Sequence, residues 1–209
     1  MELLQEGVGQ VPVDVSGIVR YPFEKTEEFS KYALGIGLLI ALDKPLTTFY
    51  QDKVEKAFSG FKVPDAPGPF KHIGTGGTDG WLVMGVAGTY LSGLLADDAR
   101  SEKVGIAATK SIVYSLVISQ GILKSVFGRK RPLSQLSSGS ADGTYTDSPY
   151  DFGNSRNFTL KSDQLNSSFP SFHFTQWFAV AKVYQVAYDN YWAPYSILAV
   201  GLLSRSEER

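Results

Sequence analysis

The chain has 209 residues, no cysteine, and 20 lysines and arginines against 21 aspartates and glutamates. That length suits one domain with a sizeable core, and without cysteine there is no disulfide, thiolate metal site or cysteine nucleophile. A net charge of −1 offers no basic excess for a nucleic-acid backbone, so nucleic acid is not an expected partner.

The cysteine count leaves cytoplasm and periplasm equally open. The first residues, Met1 to Gly7, lack the basic stretch, apolar run and small-residue cleavage site of a signal peptide, so a leader was either removed or never present. Residues 1–25 mix glycine, proline, valine and charge without a sustained period, which predicts an irregular arm. From Thr26 a first turn carrying Glu27 and Glu28 leads into an apolar helix ending near residue 42. Asp43, Lys44 and Pro45 interrupt it, and 46–58 reads as a second, amphipathic helix. Residues 60–80 hold three prolines and six glycines and form a loop. Thr78 and Asp79 at its end are candidate caps for a helix over 80–96.

A further helix over 101–127 is apolar nearly all round from Val104, the mark of a buried helix. Residues 133–168, rich in serine, glycine, aspartate and asparagine, form a long loop, and loops of that length are usually functional lids. Helices over 170–188 and 194–205 follow. The longest charge-free apolar runs, 16 residues over 81–96 and 14 over 191–204, fall short of the ~18 needed to span a bilayer and read as core helices of a soluble domain. With no internal repeat and almost no β-branched alternation, the chain is expected to be one all-α domain over 1–209.

The chemistry concentrates in two places. Lys124 and Arg131 are separated by six residues and followed by Pro132. On a continuous helix they share one face about 10 Å apart along the axis, a point charge and a planar fork of donors suited to a phosphate. Taken alone, Arg129-Lys130-Arg131 reads equally well as a solvated basic helix end. The second place is Pro170-Ser171 at the start of an apolar helix, where unpaired backbone N–H groups favour an anion. Ser171 adds a hydroxyl, and His173 is placed to act as a general acid. A lone histidine between Phe172 and Phe174 is by itself more often a satisfied core residue, but the two elements in this order favour phosphoryl chemistry.

In these residues the chain resembles the type 2 phosphatidic acid phosphatase superfamily, which shares a helical fold with bacterial class A acid phosphatases and vanadium haloperoxidases. The family signature is Lys-x6-Arg-Pro, then Pro-Ser-Gly-His, then Ser-Arg-x5-His-x3-Asp. The first stands as Lys124, Arg131 and Pro132. The second stands as Pro170, Ser171, Phe172 and His173, with phenylalanine in place of glycine, which keeps the backbone donor and adds a ring. The third begins at Ser204-Arg205, and its histidine and aspartate would fall beyond Arg209. The resemblance covers roughly residues 70–205 and implies a helical bundle of the acid phosphatase and haloperoxidase type lacking its last family helix.

The resemblance further implies a metal-independent phosphatase for phosphomonoesters or lipid (di)phosphates working through a phosphohistidine. Lys124, Arg131 and Arg205 would neutralise phosphate oxygens with help from Ser171 and the Phe172 amide, and His173 would protonate the leaving group. Without the third-motif histidine this chain is expected to be inactive. The alternatives are a catalytically silent phosphate-binding module and a vanadium-dependent haloperoxidase. A periplasmic or membrane-associated location follows from the resemblance, and a missing helix would leave an apolar groove for self-association. No cofactor is expected, and no His/Asp/Glu grouping has metal-ligand spacing. His72, the glycine run over 74–80 and the acidic pairs Asp97-Asp98 and Glu207-Glu208 read as surface, turn and solvated charge.

Overall fold

Apolar stretches set off by turn residues form helices, and the all-α expectation is met. The computed structural model describes residues 2–55, 57, 64–73, 77–132, 145–146, 148, 150–154, 169–190, 192, 196 and 199. The helices are α1 (Glu2–Gly9), α2 (Val11–Glu24), α3 (Thr26–Ala41), α4 (Asp43–Phe49), α5 (Gly77–Ala96), α6 (Ala99–Phe127) and α7 (Phe172–Tyr188). A π-helical turn, Tyr50–Glu55, extends α4, and α6 is π-helical over Leu116–Leu123. The sole sheet ladder among the described residues is a two-residue parallel pairing of β1 (Arg131–Pro132) with β2 (Tyr145–Thr146). The expected helix over 194–205 and most of the loop over 133–168 lie outside the described residues.

The core sits between α5, α6 and α7. Leu82 and Val86 of α5, Ala108 of α6 and Val180 of α7 are buried together, with Ile112, Trp177 and Tyr184 packed against them. Helices α6 and α7 run antiparallel, because Arg100 at the start of α6 donates from Nε to Ala187 O at the end of α7 (3.1 Å). Near the other end Ser119 Oγ reaches Thr175 Oγ1 (3.5 Å). Asp98 caps α6 by accepting from Arg100 N and from Ser101 Oγ, the first contact at 3.0 Å and the second at 2.6 Å. These bonds hold its carboxyl below the usual range, the serine hydroxyl being the larger cause.

The approach of α5 to α6 depends on Gly105. A Cβ there would stand 2.6 Å from Tyr90 Cβ and 2.8 Å from Tyr90 Cα, so backbone rather than a flexible tip would have to move. Gly105→Ala is therefore expected to destabilise the protein by about 2 kcal/mol, read as a lowered denaturation midpoint. A variant as stable as the native chain would show that the two helices separate freely.

The irregular arm expected over 1–25 is instead two helices. Pro12 falls in the first turn of α2, where its missing N–H removes no helical bond. Gly7 is buried because α1 lies against α6, where an added Cβ would meet Ile106 Cγ2 at 2.6 Å. Gly7 and Pro12, which look like breakers, are here a contact point and a helix start, and Pro22 is accommodated inside α2. Asp14 of α2 accepts from Lys110 Nζ at 2.6 Å and from Tyr114 Oη at 2.9 Å, tying the N-terminal helices to α6.

The Lys110 bond is the main reason the Asp14 carboxyl lies below its ordinary value of 3.8. A depressed carboxyl stabilises the folded state above its unfolded value, and the contribution is lost as pH falls through the folded value. Asp14→Asn is thus expected to cost about 1 kcal/mol at neutral pH, with the difference from the native chain closing below pH 3.8. A difference independent of pH, measured by denaturation at several acidities, would assign the loss to packing.

Candidate functional site

The register of the three core helices brings Lys124, Ser171 and His173 to one end of the bundle. There α5 begins, α6 ends and α7 begins. Three phenylalanines pin this end: Phe127 packs edge-on against Phe169, with ring centroids 5.4 Å apart, and Phe152 lies 6.4 Å from each. Phe127 follows Lys124 by three residues and Phe169 precedes His173 by four, so this cluster brings the two motifs together. Backbone bonds from Gly153 N to Phe127 O (2.8 Å) and from Asn154 N to Gly128 O (2.9 Å) fasten residues 150–154 to the same corner.

Lys124 is buried in the last turn of α6. The helix does not continue to Arg131: Gly128 adopts the left-handed conformation (φ 50°) and its N–H caps Lys124 O at 2.8 Å. Lys124 and Arg131 consequently do not share a helix face, and Pro132 is not the stop. Arg131 has turned into β1, paired in backbone register with Tyr145; its side chain lies outside the described residues, as does Arg205 altogether.

The solvated basic end is also corrected. Arg129 is buried and ion-paired through Nη2 with Asp43 Oδ2, at the start of α4. Lys130 stands 3.6 Å from Asp151. The Asp151 carboxyl is held below its usual range chiefly by the Asn154 amide and less by Lys130.

Ser171 is the N-cap of α7, accepting from Phe174 N at 3.4 Å. An accepting hydroxyl keeps its own proton to donate, so capping leaves Ser171 able to bind an anion. The first helical bond runs from Thr175 N to Ser171 O, which places the Phe172 and His173 amides in the unpaired first turn. The Phe172 ring is buried, 5.7 Å from the His173 ring centre to centre, packing beside the histidine instead of standing open to solvent.

His173 is a hydrogen-bonded histidine whose side chain is 17% exposed. Its Nδ1 lies 2.8 Å from Asp79 Oδ1. With the ring proton on Nδ1, the imidazole donates to this oxygen. The same Oδ1 accepts from Gln176 Nε2, one turn along α7. Asp79 is 2% exposed and Gln176 3%, and Asp79 Oδ2 has no hydrogen-bond partner among the described residues. Asp79 is therefore not the surface cap expected from sequence but the buried anchor of the histidine. The next residue, Gly80, lets residues 66–70 pack closely against the start of α5, since a Cβ there would fall 2.3 Å from Phe70 O and 2.7 Å from Ala66 Cβ.

The sequence analysis missed Asp79 and Gln176. Gln176 carried a signal, an amide three residues after the histidine and directly before the apolar run Trp177, Phe178, Ala179 and Val180. His72 is exposed on the 3-10 turn Gly68–His72. An open groove of about 580 Å³ between α2 and α6 is lined by Ile18, Tyr21, Lys110 and Tyr114, but Lys110 sits about 20 Å along α6 from Lys124 and its partner Asp14 is already bound.

What the arrangement can do is hold an imidazole in one tautomer, beside a carboxylate that would stabilise its cation, at the mouth of a helix N-terminus. No family model, curated protein or solved structure matches the chain, so its chemistry has to be read from this corner of the bundle.

Proposed function

We propose that this end of the bundle is the phosphate-holding and proton-donating part of a metal-independent phosphoric-ester hydrolase. The kind of site is the one its Lys-x6-Arg-Pro and Pro-Ser-x-His segments resemble. The single observation that carries this reading is the buried Asp79–His173 bond, formed where α6 ends at Lys124 and Ser171 caps α7. A histidine needed only for packing has no use for a carboxylate removed from water, which is costly to bury.

In the proposed mechanism the first-turn amides and Ser171 hold phosphate oxygens, while Lys124 and Arg131 neutralise their charge. His173, cationic against Asp79, gives its Nε2 proton to the departing ester oxygen and afterwards takes one from water. The group that attacks phosphorus is not among the described residues. Substrates are phosphomonoesters or lipid phosphates.

The test is phosphate release from p-nitrophenyl phosphate and from phosphatidic acid in the presence of EDTA, for the native chain and for His173→Ala. Where the attacking group is present, release that vanishes in the variant is expected; this chain without it is expected to release none. Release surviving His173→Ala, or requiring an added divalent metal, would overturn the mechanism. Phosphate binding without release identifies a silent binding module, and vanadate-dependent halide oxidation a haloperoxidase.

A further inference from the structure

Helix α3 is unlike the core helices. None of its residues is buried, yet Tyr32 through Leu42 contains no charged side chain and no polar group beyond the Tyr32 hydroxyl. Leu34 is 78% exposed, Leu38 60% and Leu39 59%, with Ile36 and Leu42 also open. At 100° per residue these side chains and Tyr32 stand around more than half of the circumference, and Ala33, Gly37 and Ala41 take most of the rest. A docked protein helix covers a stripe of ~100°. An apolar surface this wide requires an apolar medium on several sides at once.

The length and the ends narrow the medium further. Eleven residues, 32 to 42, rise about 16 Å, half of the ~30 Å hydrocarbon core of a bilayer. The segment is closed at both ends by charge, with Glu27, Glu28 and Lys31 on one side and Asp43 and Lys44 on the other. A helix charged at both ends and too short to span can keep its charges at the headgroups while the apolar body between them sinks beneath them in the plane of the bilayer. The 65° bend between Thr26–Ala41 and Asp43–Val54 turns α4 away just where the apolar run stops. Val19 and Phe23 of neighbouring α2 are also exposed, by 63% and 80%. Among the described residues, the one single helix long and apolar enough to cross a membrane is Ala99–Phe127, which packs in the core, and α3 with α4 passes the same test only when the bent pair is counted as one broken span.

We infer that α3 is a lipid-docking element that lies in the plane of a bilayer, its apolar body among the acyl chains and its charged ends among the headgroups. The five charges at its ends sum to −1, so zwitterionic lipid suffices and added salt does not release it. The inference is independent of the phosphatase reading. It also fixes the neighbourhood of the site, because Asp43, one residue past the apolar run, is the partner of Arg129 beside β1.

The absence of cysteine allows a direct test on the full chain. Single cysteines at Lys31, Leu34, Leu39 and Lys44 are labelled with a polarity-sensitive fluorophore, and the proteins are mixed with phosphatidylcholine vesicles carrying shallow or deep quenchers. Expected are blue-shifted, deeply quenched labels at 34 and 39 and shallow ones at 31 and 44, unchanged in high salt and without any phosphate ester present. Depth increasing steadily from 31 to 44 would mean a dipping segment and overturn the in-plane arrangement. Labels that stay aqueous on vesicles would overturn docking. Labels shielded without lipid would assign the face instead to a second copy if the shielding grows with protein concentration, and to this chain itself if it does not.

Discussion

Asp79→Ala is expected to destabilise the protein by about 3 kcal/mol and, where the attacking group is present, to lower phosphate-ester turnover about a hundredfold or more. Two donors meet on one buried oxygen, Nδ1 of His173 and Nε2 of Gln176. Removing the carboxylate strands an amide that is 3% exposed and leaves a void between α5 and α7. Asp79→Asn separates the structural from the chemical share. It preserves the shape and one acceptor, so it should cost about 1 kcal/mol, yet it takes away the negative charge that holds the imidazolium. Turnover should fall nearly as far as in the alanine variant. An Asp79→Asn protein that keeps full turnover, or that still orders the His173 ring as a cation by nitrogen NMR, would reduce Asp79 to a packing element.

Asp43→Ala is expected to be the second most damaging change. Arg129 is a buried guanidinium whose side chain is 9% exposed, and Asp43 is the counter-charge that reaches it from another helix. Breaking such a pair from one side costs about 2–3 kcal/mol, more than the ~0.5 kcal/mol of an exposed pair such as Lys31–Glu27. The segment after Gly128 should loosen with it, so proteolysis or hydrogen exchange over 128–132 should rise before the core opens. Asp43→Asn, which retains an acceptor, should recover part of the loss. Equal stability of the native chain and the Asp43→Ala variant would place Arg129 with other partners and free α4 from the site.

Much of the fold was legible because its signals are local. The apolar runs of α5, α6 and α7 are bounded by turn residues, and the structure ends them within about three residues of expectation. Residues 1–25 were misread because Gly7 and Pro12 have no local signature that distinguishes a breaker from a helix contact or a helix start. The site was half legible for a related reason. Ser171 and His173 belong to one helix start, so their relation is written in four consecutive residues. Asp79 lies 94 positions away from His173, and only packing of α5 beside α7 reveals that a supposed cap is a buried partner. The spacing of Lys124 and Arg131 implied a shared helix face only while the helix was assumed to continue, and Gly128 stops it first.

The π-helical stretch Leu116–Leu123 has a consequence for the last turn of α6. Each π residue advances less around the axis than an α residue, so eight of them turn the chain about as far as seven would in a regular helix. Wound as an unbroken α-helix, the same sequence would swing Lys124 by roughly 100°, away from the side on which Ser119, Gln120 and Gly121 are buried. The wall of the bundle thus contains one residue more than its own direction requires. That surplus lets the lower part of α6 be aimed separately from the upper part. A lineage that lost one residue between 116 and 123 could keep Lys124 facing the same corner on a plain α-helix, whereas a loss anywhere else in α6 would turn the lysine away.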